Sequence, residues 1–285
     1  MTFTEITYHM FQGGGLLVPL VHTSTAQTIM MLVGALLSMS LAYLLGSLNF
    51  AIILSQKEYH QDIRSFGSKN AGMTNMMRTY GKKAAMMTLG GDMLKAVVAS
   101  LLGYALLGMF GAYIAGLFCI IGHMFPVYYG FRGGKGVVTV ATSILMCDIG
   151  YFPFPVIFLT LLLCFVLIVL ATKYISLGSV MCMLLYPIFL DRFSRIFYDH
   201  PSPFSIFSIL MAALVIVKHH ENISRLLKGQ ESKFSFKKSK TPAEAQELIA
   251  SDTANESTEA DTQDLPVQTA IKRKNASKHY GKKKK

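Results

Sequence analysis

The sequence predicts an all-α polytopic membrane protein with about seven transmembrane helices, and the apolar runs allow a range of five to seven. Composition is the first observation behind this prediction. The chain of 285 residues is 52% hydrophobic and only 15% charged, whereas soluble domains carry roughly 25% charged residues. The second observation is that apolar runs approaching or exceeding the length of a membrane span, about 20 helical residues, recur along the first three quarters of the chain. An ordinary water-soluble globule is excluded.

The apolar runs define the predicted spans in order. The first extends from about Thr28 to Leu54, and the second from about Ala84 to Leu107. The remaining runs are shorter or less sharply bounded: Phe110 to Phe125, Val137 to Ile149, Phe152 to Ala171, Ile175 to Leu190 and Phe204 to Val217. The number of complete spans stays a range because several of these runs are shorter than a comfortable span.

Loop charge predicts the orientation. With seven spans, the basic loop from Ser55 to Lys83 falls on the same side as Arg132, Lys135, Lys173 and the basic C-terminal region. Positively charged loops mark the cytoplasmic side of membrane proteins. We therefore expect the N-terminus outside and the C-terminus in the cytoplasm. The same rule accounts for the net charge of +11 without a specific nucleic-acid partner.

Three segments follow from this pattern. Residues 1–27 are predicted as an extracytoplasmic N-terminal segment, residues 28–231 as the membrane-embedded domain, and residues 232–285 as a disordered cytoplasmic tail. The tail is rich in small and polar residues and cannot bury enough apolar surface to offset its ordering entropy. Its basic end, Lys282 to Lys285, has three interpretations: contact with anionic lipid headgroups, nonspecific binding of RNA, and a solvated run of charge.

The four cysteines indicate neither a disulfide nor a metal site. Cys119, Cys147, Cys164 and Cys182 all lie within apolar runs, and no CxxC spacing occurs. A metal site is not predicted, and neither is any cofactor.

Three dense polar segments interrupt the apolar pattern, and the predicted orientation places all of them at the cytoplasmic surface. The first is residues 67–78, GSKNAGMTNMMR. Its glycines allow the backbone to approach a ligand closely, and its hydroxyl, amide and N–H groups can form a concavity that binds anions. Arg78 would add a charge-assisted contact to a phosphate.

The second polar segment is residues 122–136, GHMFPVYYGFRGGKG. It departs from the Walker A pattern because Tyr129 replaces the first glycine and Gly136 follows the lysine. Nucleotide hydrolysis is therefore not supported. Arg132 and Lys135 are candidate phosphate contacts. His123 has two interpretations, a catalytic residue and an interfacial structural histidine.

The third polar segment is residues 218–229, KHHENISRLLKG. On a helix, His219, Asn222 and Arg225 would lie close to one face, which could hold a second anion. The alternative is a basic juxtamembrane helix with snorkelling side chains. Inside the second apolar run, Asp92 and Lys95 are spaced for mutual pairing, and both a structural ion pair and a direct role stay open.

In this order and spacing, the three segments resemble the PlsY family of bacterial acyl-phosphate:glycerol-3-phosphate acyltransferases. The family pattern is approximately GSxNxGxTNxxR, GHxFPxxxxFKGGKGxxT and KHxxNIxRLxxGxE, and the resemblance covers roughly residues 32–231. This chain departs from it at Lys69, Met73 and Arg132. The resemblance implies a seven-helix fold in the bacterial cytoplasmic (inner) membrane, with the active site facing the cytoplasm.

The resemblance also implies the activity. A fatty acyl group would pass from acyl phosphate to the sn-1 hydroxyl of glycerol 3-phosphate, giving lysophosphatidate and phosphate for phospholipid biosynthesis. The residues implied for the acyl-donor phosphate are Ser68, Asn70, Gly72, Thr74 and Asn75. Those implied for glycerol 3-phosphate are Arg78, Lys135, Ser176, His219 and Asn222, and all of these except Ser176 are the predicted catalytic residues. His123, Gly133 and Gly134 are further predicted substrate-binding residues.

The residues favour direct attack of the glycerol hydroxyl on the acyl carbonyl, since no Ser-His-Asp or Cys-base arrangement supports a covalent acyl-enzyme. Proximity and oxyanion stabilisation would supply most of the acceleration, with His219 or a substrate phosphate accepting the proton. Two alternatives remain, a transporter of a phosphorylated small molecule and an adaptor acting through its basic tail. Clustering of the polar segments at one surface argues against the transporter, and an adaptor leaves the three segments unexplained.

Overall fold

The computed structural model describes Gly15 and residues 24–234, and within them the chain forms helices without any strand. The α-helices of this part are α1 (Ser24–Ser47), α2 (Phe50–Tyr59), α3 (Met73–Tyr80), α4 (Lys82–Met124), α5 (Val137–Tyr151), α6 (Val156–Thr172), α7 (Ile175–Tyr198), α8 (Ser205–Lys218) and α9 (His220–Leu227). Two 3₁₀ turns, Ile63–Ser65 and Val127–Tyr129, lie in the connections. The predicted segment 1–27 and the predicted tail 232–285 lie almost entirely outside the described residues.

Helix α4 is a hairpin of two arms rather than a straight rod. The backbone leaves helical geometry at Leu107 and at Gly108, where φ is 59°. Gly103 and Gly111 approach so closely that a Cβ on either would overlap the carbonyl oxygen of the other, whereas eight residues of straight helix span about 12 Å. The chain therefore reverses between residues 82–106 and residues 109–124, which is the boundary between the second and third predicted apolar runs.

Two glycines bring α1 against the second arm of α4. A Cβ on Gly46 would overlap the backbone of Cys119, and a Cβ on Gly122 would overlap the backbone of Tyr43. Small residues let helices pack closely where no water is available to drive association. This packing sets the C-terminal end of α1 beside the C-terminal end of α4.

The largest apolar core lies between the second arm of α4 and helices α5 to α8, and it includes the fully buried side chains of Tyr113, Tyr186 and Leu190. The outer face is apolar as well: Leu36 is 63% exposed and Leu163 is 58% exposed. An extended apolar exterior is costly in water. This surface is suited to lipid.

By length and composition, three helical stretches could cross a membrane, Gln27–Tyr59, Lys82–Tyr129 and Ile175–Tyr198. The second of these contains the reversal of α4 at Leu107 and Gly108. The bent pair of α8 and α9 would make a fourth, and α5 and α6 are shorter apolar helices. The predicted all-α architecture with apolar spans is therefore observed in the described residues. The count of five to seven spans and the orientation stay predictions.

Local geometry differs from the sequence prediction at two places. The first predicted run is interrupted, because α1 ends at Ser47 and Asn49 caps a separate helix by accepting the N–H of Ile52 at 3.2 Å. The third polar segment is not one continuous helix. It bends by 60° between α8 and α9, so His219 lies at the corner and Asn222 lies on α9.

Candidate active site

A cavity of about 840 Å³ joins the three polar segments. Its polar head is lined by the segment around α3, by the connection between α4 and α5, and by α9 with the residues that follow it. The rest of the cavity is an apolar channel between α5, α6 and α7, with lining side chains that include Val138, Leu145, Phe158, Leu162, Phe165 and Met183. One cavity thus offers polar and apolar surroundings side by side.

The head of the cavity is electropositive for two reasons. Four helices begin there, α3, α5, α7 and α9. The unpaired N–H groups of a first helical turn and the positive end of the helix dipole attract anions. The side chains of Arg78, Lys135 and Arg225 also line the cavity. The head is therefore suited to bind negatively charged groups.

Asn75 organises the first polar segment. Its side chain is buried, and its Nδ2 group donates to the carbonyl oxygens of Ile63 at 3.2 Å, Phe66 at 3.0 Å and Asn70 at 3.1 Å. Its Oδ1 accepts the N–H of Ser68 at 3.0 Å. Both polar atoms of the Asn75 side chain are thus committed to backbone groups. This geometry makes Asn75 an organiser of the loop, although the residue borders the cavity.

The other predicted residues of the first segment line the cavity: Ser68, Asn70, Gly72, Thr74 and Arg78. Lys69, between Ser68 and Asn70, is exposed and has a φ of 56°. A left-handed backbone is unfavourable for a residue with a Cβ. Lys69 therefore adds a cation beside the head at some conformational cost.

Lys135 lies at the head, where its ammonium group donates a hydrogen bond to Oδ1 of Asn222. Burial lowers the pKa of Lys135 to about 8, and the nearby charge of Arg225 acts in the same direction. A lysine with this pKa loses its charge just above neutral pH.

Gly133 and Gly134 pack on the end of α4 and do not line the cavity. Their N–H groups donate to the carbonyl oxygens of Met124 at 3.2 Å and His123 at 3.1 Å. A Cβ on Gly134 would overlap the His123 ring and the carbonyl oxygen of Ala71. Glycine is required here because two backbones and a ring meet. Arg132, the other predicted phosphate contact, is exposed and is also absent from the cavity lining.

His219 is buried at the corner between α8 and α9, and it lines the cavity. Its Nδ1 lies 2.7 Å from the carbonyl oxygen of Val215. Because a carbonyl only accepts, Nδ1 carries the proton, and Nε2 of the neutral ring is left as an acceptor.

Glu231 connects α9 to the start of α7. Its carboxylate accepts hydrogen bonds from Ser176 at 2.7 Å, Asn222 at 2.6 Å and Arg225 at 2.8 Å. Burial alone would raise the pKa of Glu231, but these hydrogen bonds outweigh it and lower the pKa. The sequence prediction omits Glu231 from the site, although this residue closes the third family pattern.

Asp92 and Lys95 form the ion pair that their spacing permits, at 2.8 Å, with both side chains buried. Lys95 also donates to Nδ1 of His123 at 2.9 Å and to the carbonyl oxygens of Gly46 and Leu48 at 3.0 and 2.9 Å. Asp92 and His123 border the cavity. Within residues 24–234, no group of three or more His, Cys, Asp or Glu residues is placed to hold a metal ion.

Fold and site together define a class of protein: a helical membrane protein with an anion-attracting head at the end of an apolar channel. Residues 36–229 match the family model described as glycerol-3-phosphate acyltransferase. The glycerol-3-phosphate acyltransferase of Finegoldia magna is 39% identical over 192 residues, which cover 67% of this chain and 91% of the relative. That of Thermoanaerobacter pseudethanolicus is 40% identical over 203 residues, which cover 71% and 97%.

Solved structures agree with these relatives. A crystal structure described as PlsY, an integral membrane glycerol 3-phosphate acyltransferase, in its glycerol 3-phosphate form, has a TM-score of 0.62 and 33% identity, covering 70% of this chain and 96% of that one. The lysophosphatidic acid form has a TM-score of 0.60 and 31% identity, covering 71% and 96%. The chain belongs to the glycerol-3-phosphate acyltransferase family. The predicted enzyme class, acyl transfer to glycerol 3-phosphate in phospholipid synthesis, is thereby confirmed.

Proposed function

We propose that this enzyme takes its acyl group from acyl phosphate and transfers it to the sn-1 hydroxyl of glycerol 3-phosphate. The observation that carries the proposal is the single cavity with an electropositive head and an apolar channel. An acyl phosphate has an anionic end and an apolar chain, so one molecule would match both parts. The glycerol 3-phosphate and lysophosphatidic acid forms of the solved relatives support the acceptor and the product.

The donor phosphate lies against the first polar segment. Ser68, Asn70 and Thr74 line the head with hydroxyl and amide groups, and Gly72 leaves the start of α3 accessible. Backbone N–H groups at a helix start bind phosphate without needing a cation. The acyl chain then extends into the channel between α5, α6 and α7.

Glycerol 3-phosphate lies beside the donor phosphate, between the end of α3, the connection that carries Lys135, and the starts of α7 and α9. Arg78 and Lys135 supply positive charge, while Ser176, His219 and Asn222 line the same region. Glu231 holds the side chains of Ser176 and Asn222 in place through the hydrogen bonds described above. Both groups of residues line the same cavity, so the two substrates meet at its head.

The reaction follows from this arrangement. The sn-1 oxygen attacks the acyl carbonyl carbon, a new ester C–O bond forms, and the C–O bond to phosphate breaks with its electron pair leaving on phosphate. The hydroxyl proton passes to Nε2 of His219 or to an oxygen of a substrate phosphate. Holding both reactants in one cavity is the main source of acceleration, and the helix starts with Lys135 and Arg78 stabilise developing negative charge.

We also propose that the enzyme is a multi-pass protein of the bacterial cytoplasmic membrane with its site facing the cytoplasm. The exposed cations Lys57, at the end of α2, Lys82 and Lys83, at the start of α4, and Arg132, between α4 and α5, adjoin the connections that carry site residues. Basic connections are retained on the cytoplasmic side. A labelling test with membrane-impermeant reagent on Lys82→Cys in intact cells would contradict this orientation if the residue reacted from outside.

The first test is phosphate release by the purified enzyme supplied with palmitoyl phosphate, with and without glycerol 3-phosphate. We expect release that depends on glycerol 3-phosphate and yields an equal amount of lysophosphatidate. Palmitoyl-CoA in place of palmitoyl phosphate is the control donor. Turnover with palmitoyl-CoA but not with palmitoyl phosphate would refute the proposed donor.

The role of His219 is tested separately. His219→Ala is expected to lower kcat if Nε2 accepts the proton. A variant with kcat near the wild-type value and only a raised KM for glycerol 3-phosphate would assign proton acceptance to a substrate phosphate and leave His219 as a binding residue.

A further inference from the structure

Arg64, in the 3₁₀ turn before the first polar segment, is bound on two sides. Its guanidinium donates hydrogen bonds to the carboxylate of Asp62. Nε lies 3.0 Å from both carboxylate oxygens, and Nη2 lies 2.7 Å from Oδ2. Its Nη1 donates to the carbonyl oxygens of Tyr129 at 2.8 Å and Arg132 at 3.0 Å. Neither Asp62 nor Arg64 lines the cavity, so the pair has no direct contact with a substrate.

The carbonyl groups that Arg64 holds belong to the connection that carries Lys135. Tyr129 ends the 3₁₀ turn Val127–Tyr129, and Arg132 lies three residues before Lys135. A planar guanidinium with five donors can hold a carboxylate and two carbonyls at once, whereas the single ammonium of lysine cannot reproduce that geometry. Arg64 therefore sets the position of this connection relative to its own turn.

The turn of Arg64 is joined in the other direction to the first polar segment. Asn75 donates to the carbonyl oxygens of Ile63 and Phe66, which flank Arg64 and Ser65, and it accepts from Ser68. The hydrogen bonds of Asn75, the short backbone segment from Ile63 to Phe66 and the hydrogen bonds of Arg64 thus link the loop of the proposed donor phosphate to the connection of Lys135.

We propose that Asp62 and Arg64 are a positioning pair that sets the distance between the two substrate-binding loops, and thereby the distance between the acyl carbonyl and the attacking hydroxyl. This inference rests on the proposed function, in which the first polar segment binds the donor phosphate and the acceptor site is shared between Arg78 of that segment and Lys135 of the other connection. Each loop keeps its own polar groups when the pair is broken, so each substrate still binds. The loss falls on the transfer step, because a displacement of about 1 Å between reactants can cost about 100-fold in rate.

A second consequence concerns water. When the acceptor hydroxyl is displaced from the acyl carbonyl, water can attack in its place, forming a fatty acid and phosphate as the same C–O bond breaks. The ratio of phosphate released to lysophosphatidate formed therefore measures how accurately the two loops are positioned relative to each other. Simple loss of folded protein would lower both products together and leave this ratio unchanged.

The experiment compares Arg64→Lys and Asp62→Asn with wild type in the full-length purified enzyme. Arg195→Lys is the matched control, because Arg195 pairs with Asp191 at 3.0 Å on α7 and does not line the cavity. We measure kcat, KM for each substrate, the product ratio and the thermal unfolding midpoint.

Arg64→Lys is expected to lower kcat about 10- to 100-fold, to change the KM for palmitoyl phosphate by less than about threefold, and to raise the phosphate-to-lysophosphatidate ratio. Asp62→Asn should show a smaller change in the same direction, and Arg195→Lys should match wild type. The proposal is overturned if Arg64→Lys keeps the wild-type kcat and product ratio, or if its activity falls only in proportion to the folded fraction.

A separate measurement keeps this inference distinct from the proposed donor. If wild type fails to use palmitoyl phosphate, the proposed function fails, while hydrogen–deuterium exchange still tests the pair. We expect Arg64→Lys, but not Arg195→Lys, to accelerate exchange at Gly133 and Gly134, whose N–H groups bond to the end of α4. Unchanged exchange in this connection would refute the positioning role.

Discussion

Replacing Asn75 with alanine tests whether the first polar segment depends on one buried amide. The two hydrogens of Nδ2 and the single Oδ1 support at least three hydrogen bonds to the loop backbone. Each contributes about 1 kcal/mol net when buried. Three such bonds would stabilise the ordered loop by about 3 kcal/mol. The expected loss in Asn75→Ala is about 2 to 3 kcal/mol, because Ser68 is exposed and its N–H can bind water in place of Oδ1.

That free energy sets the expected kinetic effect. If substrate binding must reorder the loop, the free energy of ordering reduces the observed binding free energy. A cost of about 2 to 3 kcal/mol corresponds to a decrease of roughly 30- to 150-fold in kcat/KM. Asn75→Asp should be impaired to a similar extent, because its carboxylate keeps the acceptor for Ser68 but faces carbonyl oxygens where the amide donated.

The assay is phosphate release at varied palmitoyl phosphate, with glycerol 3-phosphate saturating. Gln61→Ala is the control: it removes an exposed side-chain amide that accepts one hydrogen bond, from Tyr80, and should leave kcat/KM within about twofold of wild type. Exchange of the amides in residues 66–72 should rise in Asn75→Ala.

Two results would refute this reasoning. A well-folded Asn75→Ala enzyme with kcat/KM within threefold of wild type would show that the loop does not depend on the amide. A large kinetic loss without any change in amide exchange would show that Asn75 contacts the substrate directly instead of organising the loop.

Three further predictions concern Lys135 at the head of the cavity and two residues outside its lining, Gly134 and Lys69. Raising the pH through about 8 should raise the KM for glycerol 3-phosphate, because burial lowers the pKa of Lys135 to about 8 and the ammonium group loses its charge above that pH. The pH profile of kcat/KM should therefore fall on its alkaline side. In Lys135→Arg, whose side chain stays charged, this fall should disappear, and a fall that persists would belong to another titrating group. Gly134→Ala should lower kcat/KM roughly tenfold or more because its Cβ overlaps the His123 ring. Gly90→Ala, where a Cβ meets nothing within 4 Å, should retain wild-type activity, and equal activity of the two variants would contradict the packing argument. Lys69→Gly relieves a left-handed backbone, stabilising the fold by about 1 kcal/mol, and should raise the KM for acyl phosphate about two- to fivefold at low salt. The KM difference should disappear in about 0.5 M KCl, and a difference that persists there would argue against a purely electrostatic effect.

Hydrophobic patterning was sufficient to locate most helices. The runs beginning near Ala84, Val137 and Ile175 correspond closely to observed helices or arms, because burial in lipid demands long apolar segments whatever their neighbours are. The interruption after Ser47 could not be seen this way. It depends on the side chain of Asn49 capping a new helix, and an isolated asparagine in an apolar run has no hydropathy signature.

Patterns within the polar segments gave most of the candidate site. Ser68, Thr74, Lys135 and His219 were all predicted, and all line one cavity. These residue types suit anion binding wherever they are concentrated, so their chemistry is visible in the chain itself. Their individual roles stay predictions until the variants above are measured.

What the sequence determined by itself is therefore the class of structure and the chemistry of the ligand: apolar helices, and polar segments suited to phosphate. Only the tertiary structure decided how those groups are used. It assigned the amide of Asn75 to its own loop, packed Gly134 against His123, and joined Arg64 to a carbonyl 68 residues away. Such contacts depend on which surfaces the helices bring together, and hydropathy and local spacing do not encode the distance between residues so far apart in the chain.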